Sequence, residues 1–184
     1  MECYEMLRFK GGKIHPAIKS PIARFLWVYR HAQYSKERKS IFYFFWWIMY
    51  RHLKIRYGFE LELETKVGRG LLIVHLGGIK VNPKAEIGEN CTLFSGCVIG
   101  SIRGGNRAGA PRLGNEVYVG VNAAIVGGVM IGDDVVIAPN SFVNIDVPSH
   151  SVVFGNPARI IHKDNATEYY TFNKINFENE PTTI

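Results

Sequence analysis

The sequence predicts a mainly β fold, a parallel β-helix preceded by a short pair of α-helices. Three observations predict it. In "LGNEVYVGVNAAIVGGVMIGDDVVIAPNSFVN" (113–144), Leu113, Val119, Ile125, Ile131, Ile137 and Val143 recur every sixth residue, and Gly114, Gly120, Gly132 and Ala138 follow four of them. The same period runs upstream through Val67-Gly68, Val81, Ile87-Gly88, Leu93 and Ile99-Gly100. Helical spacing, by contrast, is confined to residues 14–57.

A fixed six-residue period is the mark of a solenoid whose unit is one short strand and one corner. Three units make one triangular turn. The branched residue points into a narrow interior, and the small residue beside it fits a corner that a bulky side chain would not. Each turn hydrogen-bonds to those above and below, so strand edges are exposed only at the two ends. The register resumes at Leu113, fourteen residues after Ile99, so "SIRGGNRAGAP" (101–111) reads as a mobile loop expelled from the coil. A similar offset separates Val67 from Val81.

Before the repeats, Ser20-Pro21 is a helix start, with serine as cap and proline at the first helical position. Ile22, Phe25, Leu26 and Tyr29 follow at helical spacing. The polar break "SKERKS" (35–40) precedes a second helical run, for which Gly58 is the stop. The apolar stretch Ile41–Tyr50 is too short to span a bilayer, which takes about 20 residues. Basic residues flank it, so it suits either an interfacial anchor or a helix buried by its partner helix and neighbouring subunits. The chain thus divides into a helical region (1–58), a β-helix domain (59–161) and a polar tail (162–184) read as an arm or a disordered end.

The 184 residues are 47% hydrophobic and 21% charged, enough for a core. Glu2 and Glu5 come early and no small-residue cleavage site follows an apolar run, so no secretion signal is expected. Cys3, Cys91 and Cys97 show no metal-ligand or redox spacing and read as small core residues; no metal is expected. A cytoplasmic protein fits, with peripheral contact at the inner membrane face as an option. The net charge of +6 points to an anionic partner, but no nucleic-acid motif accompanies it.

The repeats together with the closing "GNPARII" (155–161) resemble the hexapeptide-repeat acyltransferases. The stretch "KVGRGLLIVHLGGIKV" (66–81) is similar to the serine acetyltransferase group within them. The resemblance covers roughly residues 15–161. It implies a left-handed coil, a homotrimer or a pair of trimers with sites between neighbouring coils, and acetyl-CoA as donor. It also implies a histidine general base, which His75 matches. Imidazole titrates near neutrality and can take the proton of an alcohol as it attacks a thioester. The carboxylate that orients this base falls on Glu60, with Glu62 as competitor on the same strand face. Donor contacts fall on Gly100, Ser101, Val121 and Pro139, and Arg159 is a cation for the donor's phosphates. Apart from the resemblance, Asn82 and, in the expelled loop that is expected to line the acceptor and donor groove, Arg103 and Arg107 are the expected acceptor contacts, although Arg107 is out of register with the family's pattern. The remaining histidines, at 15, 31, 52, 150 and 162, lie in helices or near the end.

The sequence departs from the serine acetyltransferase pattern at three points. Val74 stands where an aspartate would hold the serine ammonium. Gly109 and Ala110 stand where an arginine and a histidine would hold its carboxylate. Unpaired buried charges are costly. This predicts a different, neutral hydroxyl acceptor. The stretches "HLGGIKVNP" and "GGNRAGAP" resemble the serine acetyltransferase-like enzymes of surface-polysaccharide biosynthesis, which implies a sugar hydroxyl. Serine O-acetylation is the alternative, and a non-catalytic scaffold or binding protein is the rival of another class.

Overall fold

The computed structural model describes residues 20–177. Helix α1 (Pro21–Glu37) begins where Ser20 and Pro21 direct it, the Ser20 hydroxyl accepting from the Ala23 amide at 3.5 Å. Helix α2 (Tyr43–Tyr57) ends on Gly58 in the left-handed conformation, φ 68°. Fifteen strands follow among the described residues: β1 (Phe59–Leu61), β2 (Lys66–Val67), β3 (Leu72–Val74), β4 (Ile79–Val81), β5 (Glu86–Ile87), β6 (Thr92–Phe94), β7 (Val98–Gly100), β8 (Arg112–Leu113), β9 (Tyr118–Val119), β10 (Ala124–Val126), β11 (Met130–Ile131), β12 (Val135–Ile137), β13 (Phe142–Val143), β14 (Ser151–Phe154) and β15 (Arg159–His162).

They stack as the three faces of a left-handed parallel β-helix of about five turns. The first face is β1-β4-β7-β10-β13, the second β2-β5-β8-β11, and the third β3-β6-β9-β12-β14, closed by the antiparallel β15. The six-residue stripe points inward as expected: from Val81 to Val143 its members are at most 5% exposed. A second inward stripe runs two residues earlier in each unit, through Ala85, Cys91, Cys97, Val117, Ala123, Val129 and Val135. Cys91 and Cys97 are therefore core residues, and burial pushes the Cys97 thiol up to about 12. Cys3 and His15 lie outside the described residues.

The corner glycines explain the small residue of the repeat. A Cβ on Gly88 would stand 2.3 Å from the carbonyl oxygen of Gly114 one turn above. Each offset in the register marks an enlarged corner. Between β3 and β4 the chain inserts His75-Leu76-Gly77-Gly78. Between β7 and β8 it inserts residues 101–111, expected as a loop expelled from the coil, which fold into a small hairpin. Ile102 and Gly109 exchange two backbone hydrogen bonds of 2.9 Å, and Arg107 pairs with Asp146 at 3.0 Å.

Helix α1 caps the base of the coil. Phe25 meets Phe59 at 4.8 Å, and Arg30 reaches the Val67 carbonyl at 2.8 Å. Helix α2 buries only Tyr50 and Leu53, and leaves Phe44, Phe45 and Ile48, with Phe42 just before it, exposed on the single chain. Its partner helix does not bury this face. No helix among the described residues is long and apolar enough to cross a membrane.

The tail differs from the sequence expectation. Up to Phe177 it is neither a free arm nor disordered but lies back along the coil, held by polar side chains at successive corners. Residues 178–184 lie outside the described part.

Candidate active site

The residues singled out from sequence fall on the two edges of the first face. One edge is the column of corners leading from the third face to the first. His75 stands there in the lowest turn. The backbone carries the column upward: the Ser95 amide donates to the Val74 carbonyl at 3.2 Å, Asn122 to Ser95 at 3.2 Å, and Asn140 to Val121 at 2.9 Å. Val121 and Pro139 therefore sit above His75, and Pro139 is exposed. Arg159 crowns the column, exposed and paired in register with Phe154 at the end of β14. Turns are about 4.8 Å apart. Five strand spacings thus separate the level of His75 from that of Arg159, on the order of 24 Å.

The other edge leads from the first face to the second. Asn82 donates to the Ser101 hydroxyl at 2.9 Å and accepts from the Lys84 amide at 3.0 Å, so one side chain ties Gly100-Ser101 to the turn below. A groove lined by Glu60, Lys80, Asn82 and Gly100 shares Asn82 and Pro83 with a second groove, which is lined by Lys84, Ser101, Arg103 and Gly109. Arg103 is exposed, whereas Arg107 turns back to Asp146.

His75 is exposed at a left-handed φ of 68° and makes no hydrogen bond among the described residues. Its ring meets the ring of Phe94 edge to face at 6.0 Å. Glu60 is not in contact with it. The Glu60 carboxylate lies 3.7 Å from Lys80 Nζ, both side chains exposed. Glu62, the competitor, is committed to Lys54 and to the Tyr50 hydroxyl. Val74, Gly109 and Ala110 offer no charged side chain, yet the adjoining grooves bring a carboxylate (Glu60) and cations (Lys80, Lys84, Arg103) together. Sequence reasoning missed the aromatic neighbours of His75. Their signal was an outward aromatic at Phe94 and Tyr118, positions where a strand of the third face exposes its side chain.

Comparison with known proteins agrees with this architecture. Residues 110–144 match the bacterial transferase hexapeptide (six repeats) family. The chain is 35% identical over 136 residues to a serine acetyltransferase of Helicobacter pylori, covering 74% of this chain and 78% of that protein. It is 34% identical over 108 residues to a serine acetyltransferase of Synechococcus elongatus, covering 58% of this chain and 43% of that one. Among solved structures, the serine acetyltransferase of Brucella abortus superposes with a TM-score of 0.70 at 22% identity, covering 86% of this chain and 65% of that chain. The soybean apoenzyme gives 0.70 at 23% identity, covering 86% and 66%. The chain therefore spans about two thirds of the length of these structures. The relatives do not support the polysaccharide branch expected from the sequence.

Proposed function

The chain belongs to the bacterial hexapeptide-repeat acyltransferases, and on that premise we propose that it is an acetyl-CoA-dependent serine O-acetyltransferase with His75 as general base. The observation that carries this reading is His75 itself, an exposed imidazole at an enlarged corner, free of hydrogen bonds among the described residues and level with the base of an open column. As the serine hydroxyl attacks the thioester carbonyl, the imidazole takes its proton. The acetyl–sulfur bond breaks and the thiolate leaves. Residues up the column suit the donor. Val121 and Pro139 offer backbone and apolar surface to an extended pantetheine arm, and Arg159 at the top of the column offers a cation to phosphate.

The two edges of the first face lie on opposite sides of one coil. A groove between coils needs one edge from each of two chains, so the arrangement suits a homotrimer in which every chain serves two sites. Acceptor contacts are then Asn82, Arg103 and Arg107. Glu60, held only by a loose surface pair with Lys80, is free to turn and orient the base. The exposed apolar side of α2 suits burial at a subunit boundary, or peripheral contact at a membrane face.

A second reading keeps the chemistry and changes the acceptor to a neutral sugar hydroxyl. Val74, Gly109 and Ala110 favour it, because they supply no charge to a zwitterion. The test of the shared mechanism is release of free coenzyme A thiol by His75→Ala. Turnover should fall about a hundred- to ten-thousand-fold with acetyl-CoA affinity kept; near-normal turnover in the folded variant would overturn the assignment.

A further inference from the structure

His75 poses a mechanical question. A general base must hold one orientation, yet this imidazole has no hydrogen bond among the described residues and sits at a corner with two glycines beyond it. The contact the structure gives it is the Phe94 ring. Phe94 in turn packs on Tyr118, centroids 5.0 Å apart, and Tyr118 on Tyr170, 5.2 Å apart. Phe94 and Tyr118 are half-buried, and burial together with the neighbouring Tyr170 raises the Tyr118 phenol above its ordinary range.

Tyr170 belongs to the C-terminal segment, which is laced to the coil on both sides of it. Above, Asp134 accepts from the amides of Ala166 and Thr167, both at 2.9 Å, and from the Thr167 hydroxyl at 2.7 Å. Below, Lys174 pairs with Glu116, and Asn90 exchanges two hydrogen bonds with the backbone of Ile175, 2.9 and 3.1 Å. Arg69 then stacks on Phe177 at 4.0 Å. Asp134, Glu116, Asn90 and Arg69 stand at the same corner in four successive turns. The tail therefore descends the coil from top to base, and between its anchors it presents one ring to the ladder that ends on His75.

We propose that residues 163–177 are part of the catalytic apparatus: through Tyr170, Tyr118 and Phe94 the tail fixes the orientation of the His75 imidazole. These are positioning residues, and the inference rests on the reading of His75 as the base. A tail that merely fastened the turns would have its anchors, but its rings would not matter to turnover.

The test is steady-state kinetics of the full chain with acetyl-CoA and its acceptor, for Phe94→Leu, Tyr118→Leu and Tyr170→Ala, with Tyr118→Phe and Tyr170→Phe as conservative controls. Each lost ring pair should lower kcat by about two- to tenfold, leave the Michaelis constant for acetyl-CoA unchanged, and be restored in the phenylalanine variants. The double variant Phe94→Leu, Tyr170→Ala should be no slower than Phe94→Leu alone, because the ladder is broken once. Tyr170 is 41% exposed, so its loss leaves the coil core intact. Wild-type kcat in all three variants, with His75→Ala inactive, would overturn the ladder and leave the base standing. Normal turnover in His75→Ala would remove the base and the ladder with it.

Discussion

Asp134 accepts hydrogen bonds from both the amide and the hydroxyl of Thr167, at 2.9 and 2.7 Å, across 33 residues of sequence. His150 Nδ1 approaches the same carboxylate at 2.9 Å. Burial alone would raise the Asp134 carboxyl. The hydrogen bonds from Thr167, His150 and Ala166 outweigh it and hold the group below its ordinary value. A lowered carboxyl contributes stability that is complete above the unfolded value of about 3.9 and disappears as pH falls through the folded one. Docking of the tail is therefore expected to be flat above about pH 5 and lost on acidification below about pH 4. Amide exchange of residues 163–177 against pH measures this. Asp134→Asn should expose the tail at neutral pH as well.

The corner glycines make a prediction about the coil. Gly88→Ala forces a Cβ against the Gly114 backbone and should destabilise by about 1 to 3 kcal/mol or more. Gly104, in the hairpin, has open space around its Cβ position, so Gly104→Ala should stay within about 0.5 kcal/mol. Chemical denaturation midpoints of the two variants compare them directly.

Glu60 and Glu62 separate by function. Glu60→Gln removes an exposed pair worth at most about 1 kcal/mol, so stability should hold. If its carboxylate orients the imidazole in the assembled site, kcat should fall about ten- to hundredfold, the value of one charge-assisted hydrogen bond. Glu62→Gln should leave kcat alone and loosen α2, because Glu62 is held by Lys54 and Tyr50.

The hairpin 101–111 rests on Asp146, which accepts from both the Met130 amide and Arg107 and is held below the ordinary carboxylate range by them. Arg107→Ala and Asp146→Asn should each raise the acceptor's Michaelis constant, by about two- to fivefold. If the acceptor's Michaelis constant moves in neither variant, the hairpin takes no part in acceptor binding.

Much of this fold was legible because the six-residue register states its own geometry: Leu113 to Val143 point inward where the period puts them. Ser20-Pro21 and Gly58 marked the helix ends by local chemistry alone. What was not legible depends on contacts between distant residues. The tail reads as polar filler until Asp134, Glu116 and Asn90 are seen stacked at one corner to receive it. Arg107 reads as a free cation until Asp146, 39 residues away, is brought beneath it. For the site, His75 was visible through its context, whereas Phe94 and Tyr118 looked like ordinary strand aromatics. Val74, Gly109 and Ala110 point to a neutral acceptor in the sequence, but a comparison at three positions does not show the carboxylate and cations that Glu60, Lys80, Lys84 and Arg103 bring to the adjoining grooves, and the relatives are serine acetyltransferases.

The most direct test of the account is the steady-state rate of thiol release from acetyl-CoA with L-serine as acceptor, measured beside a panel of neutral sugars. Serine O-acetylation predicts serine-dependent release with kcat/KM of about 10⁴ M⁻¹s⁻¹ or more, the ordinary range for an enzyme on its own substrate, and little response to sugars. Release that ignores serine and rises with a sugar would contradict it.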